Sequence, residues 1–173
     1  MMNKIKKIIK ILIPKFILNT INNILRRIHI FLSWSPWINY SYSQEGEDMV
    51  LQRIFAQKEY GFYIDVGAHH PKRFSNTYLF YKKGWRGINI DALPGSMDLF
   101  NKVRPNDINL EVGIGYKEEE LNYYMFNEPA LNSFSKKLSQ NRDKAQDSYF
   151  IKNVIKVGTK PLSKILDIYL NNN

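Results

Sequence analysis

Tyr63-Ile64-Asp65-Val66-Gly67-Ala68 is the stretch that decides the fold class. Aromatic and β-branched residues from Phe62 to Val66 predict a strand, and Gly67 closes it with a turn. A helix is expected to begin near Ser75 and to stop at Gly84, where glycine ends helices cheaply. A second strand, Gly87 to Asp91, leads through Pro94-Gly95-Ser96 into a helix over Met97 to Val103, which Pro105 ends, and Ile108 to Ile114 reads as a third strand. Strands alternating with helices in this way predict an α/β protein with a parallel, doubly wound, Rossmann-like sheet. Upstream, Met49, Val50, Ile54 and Phe55 share one face of a helix over Glu47 to Ala56. Downstream, Gly115 to Glu120 reads as a turn and Leu121 to Phe126 as a strand that can return antiparallel. The chain after Pro129 is polar and poor in signal up to a strand at Phe150 to Val157. Pro161 and Ser163 then open a last helix, Leu162 to Leu170.

The formal charge of +9 suggests a nucleic-acid partner until its distribution is considered. Lys4, Lys6, Lys7, Lys10, Lys15, Arg26 and Arg27 all precede the first acid, Glu45, so the remainder carries only +2 (9 − 7). The same N-terminal arm repeats Ile5, Ile8, Ile9, Leu12, Phe16, Ile17, Ile21, Ile24, Leu25, Ile28, Phe31 and Leu32 at three- and four-residue intervals, which predicts a basic amphipathic helix kinked or split at Pro14. Its uncharged run from Phe16 to Leu25 is shorter than the roughly 20 apolar residues a span needs. Two readings of residues 1–32 stand side by side: a helix lying in an anionic membrane surface, or one that packs on its own domain or on a second copy. Nucleic-acid binding is not expected, because no stacking aromatics are interleaved with the lysines. The tryptophan pair of Ser33 to Asn39 reads as a linker, so residues 1–39 form an appendage and 40–173 a domain. With no cysteine in the chain, disulfides and thiolate metal sites are excluded.

In doubly wound sheets ligands bind beyond the carboxyl ends of the strands, so the chemistry is sought there. Gly67 and Ala68 allow close backbone approach, and a following helix can offer amides to a carboxylate. Asp65 is expected to orient that loop and to offset a cationic ligand. Asp91, 26 positions later at the end of the next strand, can accept from both hydroxyls of a ribose. Asp107, just before the third strand, is expected to receive an adenine amino group. Together these suit S-adenosylmethionine, which carries a carboxylate, a ribose and an adenine. A nicotinamide enzyme also places an acid after the second strand, but Gly67 is followed by Ala68-His69-His70-Pro71, which lacks the Gly-x-Gly-x-x-Gly fingerprint. His70 has two open readings, a general base for methyl transfer to a hydroxyl or a loop histidine that bonds the neighbouring backbone. No third ligand stands near His69 and His70, so no metal is expected.

Several blocks in order carry a family resemblance: Ser43-Gln44-Glu45-Gly46-Glu47-Asp48, Tyr63 to Pro71, Ser75-Asn76-Thr77, Phe80 to Asp91, Arg104-Pro105-Asn106-Asp107, Leu131 to Ser135, and Val157 to Leu166. From about Tyr42 to Leu170 the chain resembles the FkbM family of methyltransferases. The resemblance implies a class I methyltransferase fold, S-adenosylmethionine as methyl donor, and O-methylation of a sugar or glycan precursor in the cytoplasm, at the inner membrane surface if the basic arm binds lipid. It also implies that Gln44 and Glu47 help to close the cofactor site. Family members continue beyond the segment matching Leu170 into a fourth strand that lies beside the first. The chain therefore reads as an incomplete, C-terminally truncated sheet whose first strand lacks a partner on one side, and which invites self-association there. The alternative function is a non-catalytic fragment that binds a membrane or a partner.

Overall fold

A computed structural model describes residues 15–33, 39–145 and 148–170. Pro14 with the residues before it, both linker tryptophans and the terminal asparagines lie outside the described residues, so the expectations placed on them stand as they were. The chain divides into two compact units, 1–40 and 41–173. In the first, helix α1 runs over Lys15–Ser33, with Ile17, Ile21, Ile24 and Leu25 exposed. No described helix is long and apolar enough to cross a membrane.

The second unit is mixed α/β. Helix α2, Glu47–Ile54, precedes strand β1, Phe62–Val66; helix α3, Tyr78–Lys82, leads to strand β2, Arg86–Asp91; helix α4, Ser96–Val103, leads to strand β3, Ile108–Glu111. These strands form a parallel sheet in the order β1-β2-β3. A second sheet holds β4 (Gly113–Ile114), β5 (Glu119–Phe126) and β6 (Ile151–Lys160), with β6 in the middle, parallel to β4 and antiparallel to β5. A short 3₁₀ turn at Pro129–Leu131, helix α5 at Lys136–Ala145 and helix α6 at Leu162–Leu170 complete the chain.

The expected single strand from Ile108 to Ile114 is in fact two. Val112 donates its amide to the Asp91 carbonyl at 3.0 Å, and the next two residues leave β2 to pair with Thr159 and Lys160. The side chains at Gly113 and Gly115 are absent for a packing reason: a Cβ at Gly113 would come within 2.6 Å of the Phe134 ring, and one at Gly115 within 2.9 Å of the Thr159 hydroxyl. The helix expected from Ser75 is shorter, because Ser75 Oγ takes the amides of Thr77 and Tyr78 and starts it at Tyr78. Helix α5 was not expected; it contains a single large aliphatic residue, Leu138, so it shows no apolar period, and its start rests on Ser135 Oγ accepting the Leu138 amide.

The two faces of the parallel sheet are chemically different, as the pairing register requires. One carries Ile64, Ile88 and Ile108 in one row and Val66, Ile90 and Leu110 in the next. Helix α6 covers its β2–β3 side, placing Ile165 against Ile88 and Ile90. Strand β1 pairs only with β2 among the described strands, and Phe62, Ile64 and Val66 stay 38–48% exposed. The other face carries Tyr63, Asp65, Gly87, Asn89, Asp91 and Asn109. There Phe100 and Met97 of α4 bury against Ala68. Full burial of one such ring contributes about 1.5–3 kcal/mol. Phe55, Phe80 and Trp85 form a second aromatic cluster near the start of β2.

Candidate functional site

A cavity of about 450 Å³ opens beyond the carboxyl ends of β1 and β2. Val66, Gly67, Ile90, Asp91 and Ala92 form one wall, and Val112, Ile114, Tyr123 and Asn132 to Ser135 form the other. Its volume lies in the usual range for small-molecule sites, about 300–1,000 Å³. The wall is largely aliphatic and aromatic, with polar groups at Asp91, Tyr123, Asn132, Ser133 and Ser135.

Gly67 and Asp91 therefore meet at this cavity, as their positions in the sequence suggested. Gly67 has φ 76°, and a Cβ there would find no atom within 4 Å, so its open side faces free space. Asp91 is 8% exposed. Its Oδ2 accepts the His69 amide and its Oδ1 the Leu93 amide, both at 2.8 Å. The carboxylate thus bridges the loops that follow β1 and β2, and each oxygen keeps further acceptor capacity.

The other expected residues sit elsewhere. Asp107 lies at the amino end of β3, where its carboxylate takes the Tyr63 hydroxyl, the Gly87 amide and the Asn89 side-chain amide. That is the opposite end of the sheet from the cavity, so it is not brought together with Asp91. Asp65 points to the polar face and accepts from Thr77 Oγ1 at 2.6 Å instead of lining the cavity. Burial pushes its carboxyl up, while the Thr77 bond and the Arg104 charge pull the other way. Ala68 is buried under Met97 and Phe100. Gln44 and Glu47 are exposed and do not line the cavity. Glu47 instead accepts the Glu45 amide at 2.9 Å. The residue that organises this turn is Asp48, fully buried, which accepts from Ser41 Oγ, the Tyr42 amide and Ser43 Oγ. Sequence reading passed over it because it stands among other acids in a polar run.

The helix expected to offer amides beside Gly67 does not do so. Helix α3 begins at Tyr78, well down the chain, and the amides of Gly67 and Ala68 both donate to the Ile90 carbonyl, at 2.8 and 3.0 Å. His70 Nδ1 accepts the amides of Lys72 and Arg73, at 3.0 and 2.9 Å. A neutral imidazole so engaged carries its proton on Nε2 and is a donor there. Burial, with the charge of Arg73 nearby, lowers the pKa of both His69 and His70. Beside them Arg73 forms an ion pair with Glu128 at 2.8 Å, tying the β1–α3 loop to the segment that follows β5.

The cavity residues missed in the sequence come from the second sheet and from residues 132–135. Leu131 to Ser135 did carry a signal, as one block of the family resemblance. Tyr123 carried none beyond strand alternation. Its phenol is pushed up to about 12 by burial and by the Asp91 charge, against the pull of Asn132, so it is a neutral hydroxyl at physiological pH. No group of three or more histidine, aspartate and glutamate side chains that could hold a metal ion occurs among the described residues.

A parallel βαβαβ sheet with a glycine turn after its first strand, an acid ending its second and a cavity at that end has its candidate site at the strand ends, where sheets of this class hold their ligands. The model of the methyltransferase FkbM domain matches residues 65–173, more than half of the chain, and the chain belongs to that family. The match begins at Asp65 and so leaves Gln44 and Glu47 outside it. No curated protein and no solved structure matches the chain.

Proposed function

We propose that the cavity at Gly67 and Asp91 holds S-adenosylmethionine, and that the protein transfers its methyl group to a hydroxyl of a sugar or glycan precursor. The observation that carries this reading is the buried Asp91 carboxylate at the cavity wall, fixed by two backbone amides yet retaining lone pairs for a vicinal diol. The donor set suits the group. Asp91 would accept from the ribose hydroxyls, Gly67 leaves room for close approach, and Val112, Ile114 and Phe134 offer apolar surface to a flat ring. When bound, the cofactor supplies an electrophilic methyl on a sulfonium. The acceptor oxygen must lose its proton as the new carbon–oxygen bond forms and the carbon–sulfur bond breaks. His70 suits the task of holding the loop better than that of base, since its Nδ1 lone pair is engaged.

In this reading β1-α3-β2-α4-β3 is a mononucleotide-binding unit of the class I, doubly wound methyltransferase type. Titration of the protein with S-adenosylhomocysteine by calorimetry tests it. Saturable 1:1 binding is expected, and Asp91→Ala should remove it. A folded chain that binds neither this compound nor S-adenosylmethionine would overturn the reading.

The exposed Ile17, Ile21, Ile24 and Leu25 of α1, on an arm rich in lysine, favour a second activity or an alternative one: association with an anionic membrane surface at the cytoplasmic side. Cosedimentation with phosphatidylglycerol vesicles should be lost on deletion of residues 1–32. Undiminished association would sink the idea.

A further inference from the structure

Arg104 is fully buried and takes part in none of the ion pairs among the described residues. Its guanidinium is spent on neutral acceptors. Nε and Nη2 both donate to the Pro71 carbonyl, Nη2 also to Ser75 Oγ at 2.6 Å, and Nη1 to Thr77 Oγ1 at 2.8 Å and Asn89 Oδ1 at 3.1 Å. The plane is framed by the rings of Tyr78, Phe100 and Tyr81, 5.3, 5.4 and 5.8 Å from its carbon. Negative charge reaches it through two neutral relays: Thr77 Oγ1 accepts from Arg104 and donates to Asp65, and Asn89 accepts from Arg104 through Oδ1 and donates through Nδ2 to Asp107. A buried cation without a direct carboxylate is costly, and the geometry here requires a forked, planar donor that lysine cannot imitate.

Three of its four acceptors, Pro71, Ser75 and Thr77, belong to the loop between β1 and α3, and the fourth, Asn89, belongs to β2. That loop has no regular structure of its own, and it holds two non-glycine residues with positive φ, His69 and Phe74, each at 56°. Conformations of this kind persist only where surrounding contacts over-determine them. Two residues before Pro71, the same loop gives the His69 amide to Asp91 Oδ2. The guanidinium is thus the outer latch of a loop whose inner end sets the Asp91 carboxylate.

We infer that Arg104 is a positioning residue for the ligand cavity: lying outside it, it fixes the His69–Asp91 contact by clamping the loop at Pro71, Ser75 and Thr77. This rests on the proposed cofactor reading for its consequence in binding, but not for the latch itself. The test uses the full chain in three variants. Arg104→Lys keeps the charge and loses the fork, Thr77→Val removes one clamped hydroxyl, and Trp85→Phe, in the aromatic cluster with Phe55 and Phe80, is a control that lowers stability and leaves every hydrogen bond of the clamp in place. The first readout is hydrogen exchange at the His69 amide. It should quicken in Arg104→Lys and Thr77→Val at temperatures where both are folded, and stay at its native rate in Trp85→Phe. The second is the dissociation constant for S-adenosylhomocysteine, which should rise about 2- to 30-fold in the two latch variants, the usual range for coupling through packed contacts. If Arg104→Lys does not fold, Thr77→Val alone decides. Native exchange at His69 in the folded latch variants, or equal changes in the Trp85→Phe control, would overturn the latch. Wild-type protein that binds no S-adenosylhomocysteine while the exchange result holds would overturn the cofactor reading and leave the latch standing.

Discussion

The backbone amide of His69 donates to Asp91 Oδ2 at 2.8 Å, joining the loop after the first strand to the acid that ends the second. Because Leu93 donates to the other oxygen, the carboxylate cannot rotate without breaking one bond or the other. The wall of the cavity is set by this relationship, before any ligand is bound.

Asp91→Asn is accordingly expected to cost stability as well as binding. An amide group retains one acceptor oxygen, so either His69 or Leu93 must face an NH₂ group, and a buried donor left unmatched costs about 1–3 kcal/mol. Asp107→Asn should cost a similar amount, since it disturbs bonds from Tyr63, Gly87 and Asn89, yet leave binding of S-adenosylhomocysteine nearly intact. Urea titrations beside calorimetry separate the two. Equal loss of binding in both would mean that Asp107 reaches the ligand after all.

Two glycines should respond oppositely to alanine. At Gly67 the added methyl has free space and only the positive φ opposes it, so Gly67→Ala should fold with a loss of about 1 kcal/mol while its methyl intrudes on the cavity and weakens binding. At Gly87 the Cβ would lie 2.2 Å from the Tyr63 carbonyl and ring, in the middle of the β1–β2 pair, and Gly87→Ala should not yield folded protein. Circular dichroism of the two variants checks this.

The alternation of β1, α3, β2, α4 and β3 was legible because each strand is a compact apolar run closed by glycine, proline or an acid, and Phe62–Val66 and Leu162–Leu170 fall where the sequence puts them. The division at Val112 was not, since Ile108 to Ile114 keeps a strand-like composition across the break and the change of sheet depends on Thr159, far along the chain. The same limit applies to the site. Gly67 and Asp91 could be found because strand ends are visible locally, whereas Tyr123 and Asn132 become cavity residues only through the second sheet. Asp107 misled because proximity to a strand in sequence does not say which end of the sheet it occupies.

Asp48 should be the acid-sensitive point of the turn before α2. Burial raises its pKa, but bonds from Ser41, Tyr42 and Ser43 outweigh this and hold it below the ordinary value of 3.8. Its folded pKa is therefore depressed, so its stabilisation is present in full above that value and is lost as pH falls through the folded pKa. Asp48→Asn is expected to destabilise the fold by about 1–3 kcal/mol at pH 7, because the hydroxyls and the amide it accepts from lose their charged partner. The difference from wild type should shrink in denaturant titrations carried below pH 4. A constant difference across that range would refute the assignment.

The histidine pair predicts a separate, milder pH dependence. His69 and His70 both have folded pKa values below 6.5, through burial and, for His69, the charge of Arg73 next in order. The unfolded chain then binds protons first as pH falls, so stability is full above about 6.5 and declines below it, until the folded pKa values are passed. His70 protonation has a structural consequence too: Nδ1 would become a donor facing the amides of Lys72 and Arg73, and the turn at the outer loop would open. His70→Asn keeps an acceptor for these amides, and His69→Asn tolerates the positive φ. The double variant should therefore fold and show a flatter stability profile between pH 6.5 and the carboxylate range. Burial also raises Asp65, whose folded pKa lies above its unfolded value, and its slope has the opposite sign: stability falls as pH rises from the ordinary carboxylate value through the folded one. Asp65→Asn is needed alongside to keep the two apart. If the histidine double variant retained the wild-type slope, in the Asp65→Asn background as well, the loop histidines would be silent in the acid response.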